Sequence, residues 1–367
     1  METKRLLSLD AFRGFTIAAM ILVNFPGNGN HVFHQLQHTD WNGLSFTDLI
    51  APFFLFIVGV AIAFAYTKRL EAGIPAKAMY VKLFSRSLKI FAIGIFLNVL
   101  GIMDNFSFAE MRWTGTLPRI AIVFLVCGLL FLHSSWKSQA VTGALLLIGY
   151  WLAMTLIPTP GYDKVMLEPG INLAAWIDSK LLPGKMWQDT WDPEGILSTF
   201  PSIATGITGM LAGSLLLCKR SQEYKVMFLF TAGLATLAAG VTWSWIFPTN
   251  ENLWTSSFVL VTSGLAAMVL GASIFLIDIL KFNGKVADFG IIYGSNAITI
   301  YVLADFLAMI FYGLKFGNGS LNEHYFNLFT SLVAAPKIAS MTYSLLYVGI
   351  NFVPAYILYR KKVFIKL

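Results

Sequence analysis

The chain has 367 residues, of which 57% are hydrophobic and only 12% charged, and its mean hydropathy is +0.69. Soluble globular chains carry about 25% charged residues, so this balance excludes a soluble core and points to a protein that crosses a bilayer repeatedly. The net charge of +7 reads as cytoplasmic loops beside membrane spans, with no nucleic-acid partner expected. The two cysteines, Cys127 and Cys218, both sit in apolar runs, which argues against a disulfide framework or a structural zinc site.

The N-terminal "METKRLLSLDAFRGFTIAAMILVNF" is basic and then apolar, like a signal sequence. Asp10 and Arg13 interrupt the start of the run and no small-x-small cleavage site follows, so it is read as a retained first span over 9–26. At about 100° and 1.5 Å per residue, Asp10, Arg13 and Asn24 share one helix face over roughly 21 Å. Two readings of this stripe stand open. It is an ion pair that anchors the helix, with Asn24 bonding to a neighbour, or it is the wall of a polar pathway.

The loop "NFPGNGNHVFHQLQHTDWNG" follows, with Pro26 and its glycines ending the helix. His31, His34 and His38 lack an accompanying cysteine or an H-E-x-x-H carboxylate, so no metal is expected. A single imidazole serving as acid, base or nucleophile is the chemical reading of His38; a solvated loop histidine is the bland one. Ser45 and Asp48 in "LSFTD" then fit a capping box that opens a second span over 47–66, where Pro52 and Gly59 suit a kink or close packing.

Further apolar runs at 86–103, 117–133, 139–157, 196–217, 226–247, 256–279, 290–313 and 338–359 give about ten transmembrane helices in all. Arg119 enters the fourth behind Pro118, which suits a first helical turn, and its guanidinium needs an anionic or carbonyl partner. Asn296 and Asp305, nine residues apart in the ninth, would face opposite sides of a straight helix. The 158–195 segment, with Trp176, Trp187 and Trp191, reads as a cap on the outer face, and 321–336 as an interfacial or re-entrant helix. With both termini cytoplasmic, Lys and Arg favour the inside loops by roughly three to one, Lys4, Arg5, Arg360, Lys361, Lys362 and Lys366 among them. That orientation puts His38 outside. No repeat, low-complexity tract or Walker loop occurs, so the fold is read as all-α and polytopic, a single domain over 1–367.

Together "LLSLDAFRGFTIAAMILVNFPG", "LQHTDWNGLSFTDLIAPFFLFIVGVAI", "DPEGILSTFPSIATGITGMLAG", "NLWTSSFVLVTSG" and "GSNAITIY" resemble the heparan-α-glucosaminide N-acetyltransferase family, over nearly the whole chain and in order. They look most like its bacterial members, which lack the extra N-terminal luminal domain and first helix. The resemblance implies transfer of an acetyl group from cytoplasmic acetyl-CoA to an amino sugar on the opposite side of a bacterial inner membrane, with no metal and with a possible homodimer. It matches His38 to the active-site histidine of the family's H-x-x-W-N-G motif and Asn24 to its nearby asparagine. Asp10 and Arg13 match the S-[LV]-D-x-F-R-G motif, and Arg119 the G-[VT]-L-Q-R segment, although Pro118 stands where glutamine is usual. Asp48, Arg119 and Asn296 join Asp10 and Arg13 as candidates for the donor channel. Two other classes stay open from the residues alone: a small-molecule transporter, which an inverted repeat would favour, and an O-acyltransferase of a cell-envelope polymer.

Overall fold

The computed structural model describes residues 6–103, 106–282, 284–317 and 319–365, so Lys4, Arg5 and Lys366 of the basic count lie outside the described residues. The chain is an all-α polytopic membrane protein. Long apolar helices dominate because a bilayer leaves every backbone amide to be satisfied within its own segment. Among the described residues, nine helices are long and apolar enough to cross a membrane, and counting one bent helix pair as a single span gives ten. The only paired strands among them are the two-residue segments Lys315–Phe316 and Gly319–Ser320.

Backbone contacts divide the chain into two units. The first comprises residues up to His38, Ser45–Ile50 and everything from Ala272 onward. Here α1 (Leu7–Asn24) lies against α10 (Lys285–Ser295). Small residues permit the approach: a β-carbon on Gly14 would overlap the Gly290 carbonyl, and one on Gly294 the Asp10 carbonyl. The ninth run is not the straight helix that its apolar length predicts. It breaks at Asn296, whose φ of −133° and ψ of 40° leave the helical region, and α10 meets the following segment Ala297–Gly313 at 81°. The opposite-face argument for Asn296 and Asp305 therefore does not hold. The break is held by side-chain bonding, since Asn296 Nδ2 donates to the Val363 carbonyl at 3.0 Å and Asn296 Oδ1 accepts from the Ile365 amide at 2.8 Å.

The expected 321–336 helix is α12 (Leu321–Val333), which does not qualify as a span. A capping box between Ser320 and Glu323 starts it, and it packs on α13 (Pro336–Arg360). Leu328 and Leu332 are exposed, as suits a helix lying at an interface.

The second unit holds Thr39–Leu44 and Ala51–Gly271. It includes α3 (Ala76–Leu100), α4 (Thr116–His133), α5 (Trp136–Leu156), α7 (Ile196–Leu217) and α8 (Gln222–Ser244). It also takes most of α2 (Ile50–Glu71) and α9 (Ser256–Ser273). In α2 and α7, Gly59 and Gly209 bring backbones together, where a β-carbon would strike Gly206 or Phe56 carbonyl oxygen respectively. The 158–195 segment carries α6 (Leu173–Leu181), capped by Asn172, whose Oδ1 accepts from the Ala175 amide at 2.9 Å.

Candidate active site

In the first unit the loop leaving α1 is fastened at successive residues. Ser344 Oγ donates to the Phe25 carbonyl at 3.1 Å and Tyr312 hydroxyl to that of Pro26 at 2.8 Å. The Gly27 amide donates to the Ser340 carbonyl at 3.3 Å, and Asn28 exchanges two 3.1 Å bonds with Ser340. Asn24, at the last turn of α1, is exposed just ahead of these clamps. Asp10 and Arg13 do pair, at 3.2 Å, and Arg13 Nη1 also reaches the Gly294 carbonyl at 3.4 Å. A guanidinium beside the last carbonyls of α10 opposes the negative end of that helix, next to the Asn296 break.

The three histidines go separate ways. His31 stacks on Phe326 with centroids 5.6 Å apart, while His34 is exposed in the short turn His34–Leu36. His38 Nδ1 lies 2.9 Å from Asp48 Oδ1. The Asp48 side chain is wholly buried, whereas that of His38 is 55% exposed. The expected capping box is present: Ser45 amide donates to Asp48 Oδ2 at 2.8 Å and Asp48 amide to Ser45 Oγ at 3.4 Å. One oxygen of Asp48 thus caps the turn and the other orients the imidazole. A carboxylate on Nδ1 selects the tautomer with the proton there, leaves the basic lone pair on Nε2, and favours the imidazolium once Nε2 is protonated.

In the second unit the residues that follow His38 in sequence are anchored in their own right. Trp41 Nε1 donates to the Leu167 carbonyl at 3.0 Å, and its ring meets Trp191 edge-on at 5.2 Å. Asn250 Nδ2 donates to Asn42 Oδ1 at 3.2 Å. Gly43 donates to the Thr249 carbonyl at 2.9 Å with φ of +128°, a conformation that favours glycine. Arg119 is 4% exposed and finds the carbonyl partner its sequence called for, donating from Nη2 to Pro193 at 2.7 Å. Its guanidinium lies 4.9 Å over the Trp254 ring, and its Nε and Nη1 have no hydrogen-bond partner among the described residues.

Close by in sequence, Arg112 grips Asp192 with two bonds, of 2.8 and 2.6 Å, and also reaches Glu194. Burial opposes ionisation of both, but the pairing prevails, so Asp192 stays below and Arg112 above its ordinary pKa. Among the described residues no cation pairs with Asp178. Burial pushes its carboxyl up to about 7, against the pull of the Ile196 amide. Reading the sequence missed the Arg112–Asp192 pair, Asp178, Asn250 and Trp254. The first two carry no local signal; the last two lie in or beside "NLWTSSF".

The catalytic-domain model of heparan-alpha-glucosaminide N-acetyltransferase matches residues 5–227. This chain belongs to that family. The human heparan-alpha-glucosaminide N-acetyltransferase is 29% identical over 99% of the chain and 60% of its own length. The mouse heparan-alpha-glucosaminide N-acetyltransferase is 27% identical over 100% of the chain and 61% of its own length. The chain therefore spans about three-fifths of the curated relatives it matches. Within this N-acetyltransferase family match fall Asp10, Arg13, Asn24, His38, Asp48 and Arg119, while Asn296 lies beyond it.

Proposed function

We propose that the chain is a transmembrane N-acetyltransferase of a bacterial inner membrane, acting as one domain. It moves an acetyl group from cytoplasmic acetyl-CoA to the amine of a glucosamine-type sugar at the periplasmic face. The observation that carries this reading is the buried Asp48 holding Nδ1 of a half-exposed His38 at 2.9 Å. A base must meet its substrate, and its orienting acid must not move.

In this reading the neutral sugar amine attacks the thioester carbonyl while His38 Nε2 accepts the amine proton, a contribution of about 10²–10⁴-fold. The carbonyl oxygen becomes an oxyanion, to which the Asn24 amide donates. The intermediate then collapses, the C–S bond breaks, and the imidazolium returns its proton to the departing thiolate. Asp48 stays ionised throughout and stabilises the imidazolium. The donor's phosphates stay on the cytoplasmic side and its narrow pantetheine arm crosses part of the roughly 30 Å core in a helix-lined channel. Asp10, Arg13, Arg119 and Asn296 are the candidates to line it. For Arg119, the two unpartnered guanidinium nitrogens suit an amide or thioester carbonyl.

The test is labelled acetyl-CoA added to membranes containing the chain, with glucosamine or an analogue lacking the amine. Acetylation of glucosamine alone, lost in His38→Ala, is the expected result. Uptake of the sugar without acetylation would make the protein a carrier, and transfer to hydroxyls would make it an O-acyltransferase. Normal turnover by His38→Ala would remove His38 from the chemistry.

A further inference from the structure

The second unit contains a cleft of about 800 Å³ that the proposed reaction does not use. Its walls come from α5, α7, α8 and α9, with Phe56 of α2 at one side. Phe228, Leu229, Ala232 and Ala267 make the lining largely apolar. Three of the hydroxyls along it are already bonded: Thr208 Oγ1 donates to Ser263 Oγ at 2.8 Å, and Thr236 Oγ1 to the Ala232 carbonyl at 2.8 Å. Such largely apolar walls offer few partners to the amides of a pantetheine arm. They do not retain water either, and an empty space of this size forfeits the dispersion contacts of every side chain around it.

One end of the cleft has a different character. Lys219 and Arg220, in the short link between α7 and α8, line it and are exposed. The Arg220 guanidinium lies 5.5 Å over the Tyr224 ring, and Trp136, 60% exposed, carries the Lys137 ammonium 5.8 Å above its own ring. No carboxylate is among the lining residues. Paired aromatic and basic side chains of this kind mark the headgroup level of a bilayer, and the basic excess marks the leaflet rich in anionic lipid.

We propose that this cleft holds an acyl chain of an anionic phospholipid, with its phosphate against Lys219 and Arg220. The chain fills the apolar depth between α7 and α8, and the two cations select the headgroup. Lipid binding here is separate from acetyl transfer and stands or falls without it.

The test uses the full chain in detergent, titrated with dioleoyl phosphatidylglycerol or dioleoyl phosphatidylcholine. Native mass spectrometry reads retention, and thiol labelling reads the cleft itself, because Cys218 lines it while Cys127 is buried. Phosphatidylglycerol should be retained roughly tenfold more strongly than phosphatidylcholine, and it should slow labelling of Cys218. Lys219→Glu with Arg220→Glu should reduce its retention to the phosphatidylcholine level. Ala232→Trp should abolish the protection of Cys218; should that variant melt early, Ala267→Leu, which narrows the same space less, should weaken it. Equal retention of both lipids, or no response to charge reversal, would overturn the proposal. Displacement of the lipid by coenzyme A would overturn it too, assigning the cleft to the donor.

Discussion

Asp48 and Asp192 are both buried carboxylates with side chains of zero exposure, Asp48 with one oxygen on a backbone amide and Asp192 with both, yet their side-chain partners differ in kind. Asp192 faces Arg112, a permanent cation that is only 18% exposed. Asp48 faces His38, an imidazole able to take up or release a proton, whose side chain is 55% exposed. A fixed cation sealed beside a carboxylate makes a rivet. An accessible imidazole beside one makes a group that can take up a proton and give it back. The same buried acid thus supports structure in one unit and, on the proposed reading, chemistry in the other.

The largest effect should come from removing the titrating partner. His38→Ala is expected to lower acetylation by about 10²–10⁴-fold while the melting temperature stays almost unmoved, since Asp48 keeps its Ser45 amide. Loss of folding instead, read by size exclusion and thermal melting, would make the pair a rivet like the other. Arg112→Ala should do the reverse. It leaves Asp192 and Glu194 without their cation and should cost about 3–5 kcal/mol of stability, seen as a large fall in melting temperature. Arg112→Met with Asp192→Leu should recover part of it, because the most buried pair leaves together and only Glu194 stays without its cation.

These contrasts show how much was legible beforehand. The Ser45–Asp48 cap was readable because it is local, a hydroxyl and an acid three residues apart at a helix start. That the second oxygen of Asp48 would orient His38 was not readable, because a capping acid satisfies its local role without it. The spans were legible from apolar length alone. The break at Asn296 was not, because one polar residue in an apolar run does not by itself end a helix; what stabilises it is the bonding to Val363 and Ile365, far away in sequence. In the 158–195 segment Trp191 meets Trp41 and Trp187 lies under Arg112, but the Arg112–Asp192 pairing joins residues 80 positions apart and was not readable.

A smaller effect sharpens the comparison within the first unit. Asp48→Asn keeps an oxygen for the Ser45 amide but offers His38 a neutral partner that no longer stabilises an imidazolium. A roughly 10–10²-fold loss of turnover is expected, accompanied by a downward shift of the acidic limb of the pH–rate profile. A loss of rate with an unchanged pH profile would instead mean that Asp48 merely shapes the loop.

The smallest effect concerns a third buried carboxylate, Asp178, which has a backbone amide but no paired cation among the described residues. Its pKa of about 7 in the folded chain lies above the ordinary carboxylate value, so the folded state holds a proton that the unfolded chain has released. Stability from this group is complete below about pH 4, falls as pH rises towards 7, and is flat above it. Asp178→Asn keeps an acceptor for the Ile196 amide, now 2.8 Å from Oδ1, and removes the titration. Melting temperatures of that variant should therefore fall less steeply between about pH 4 and 7 than those of the native chain. If the two slopes coincide, Asp178 is already ionised in the fold, and the cations of this unit reach further than their hydrogen bonds.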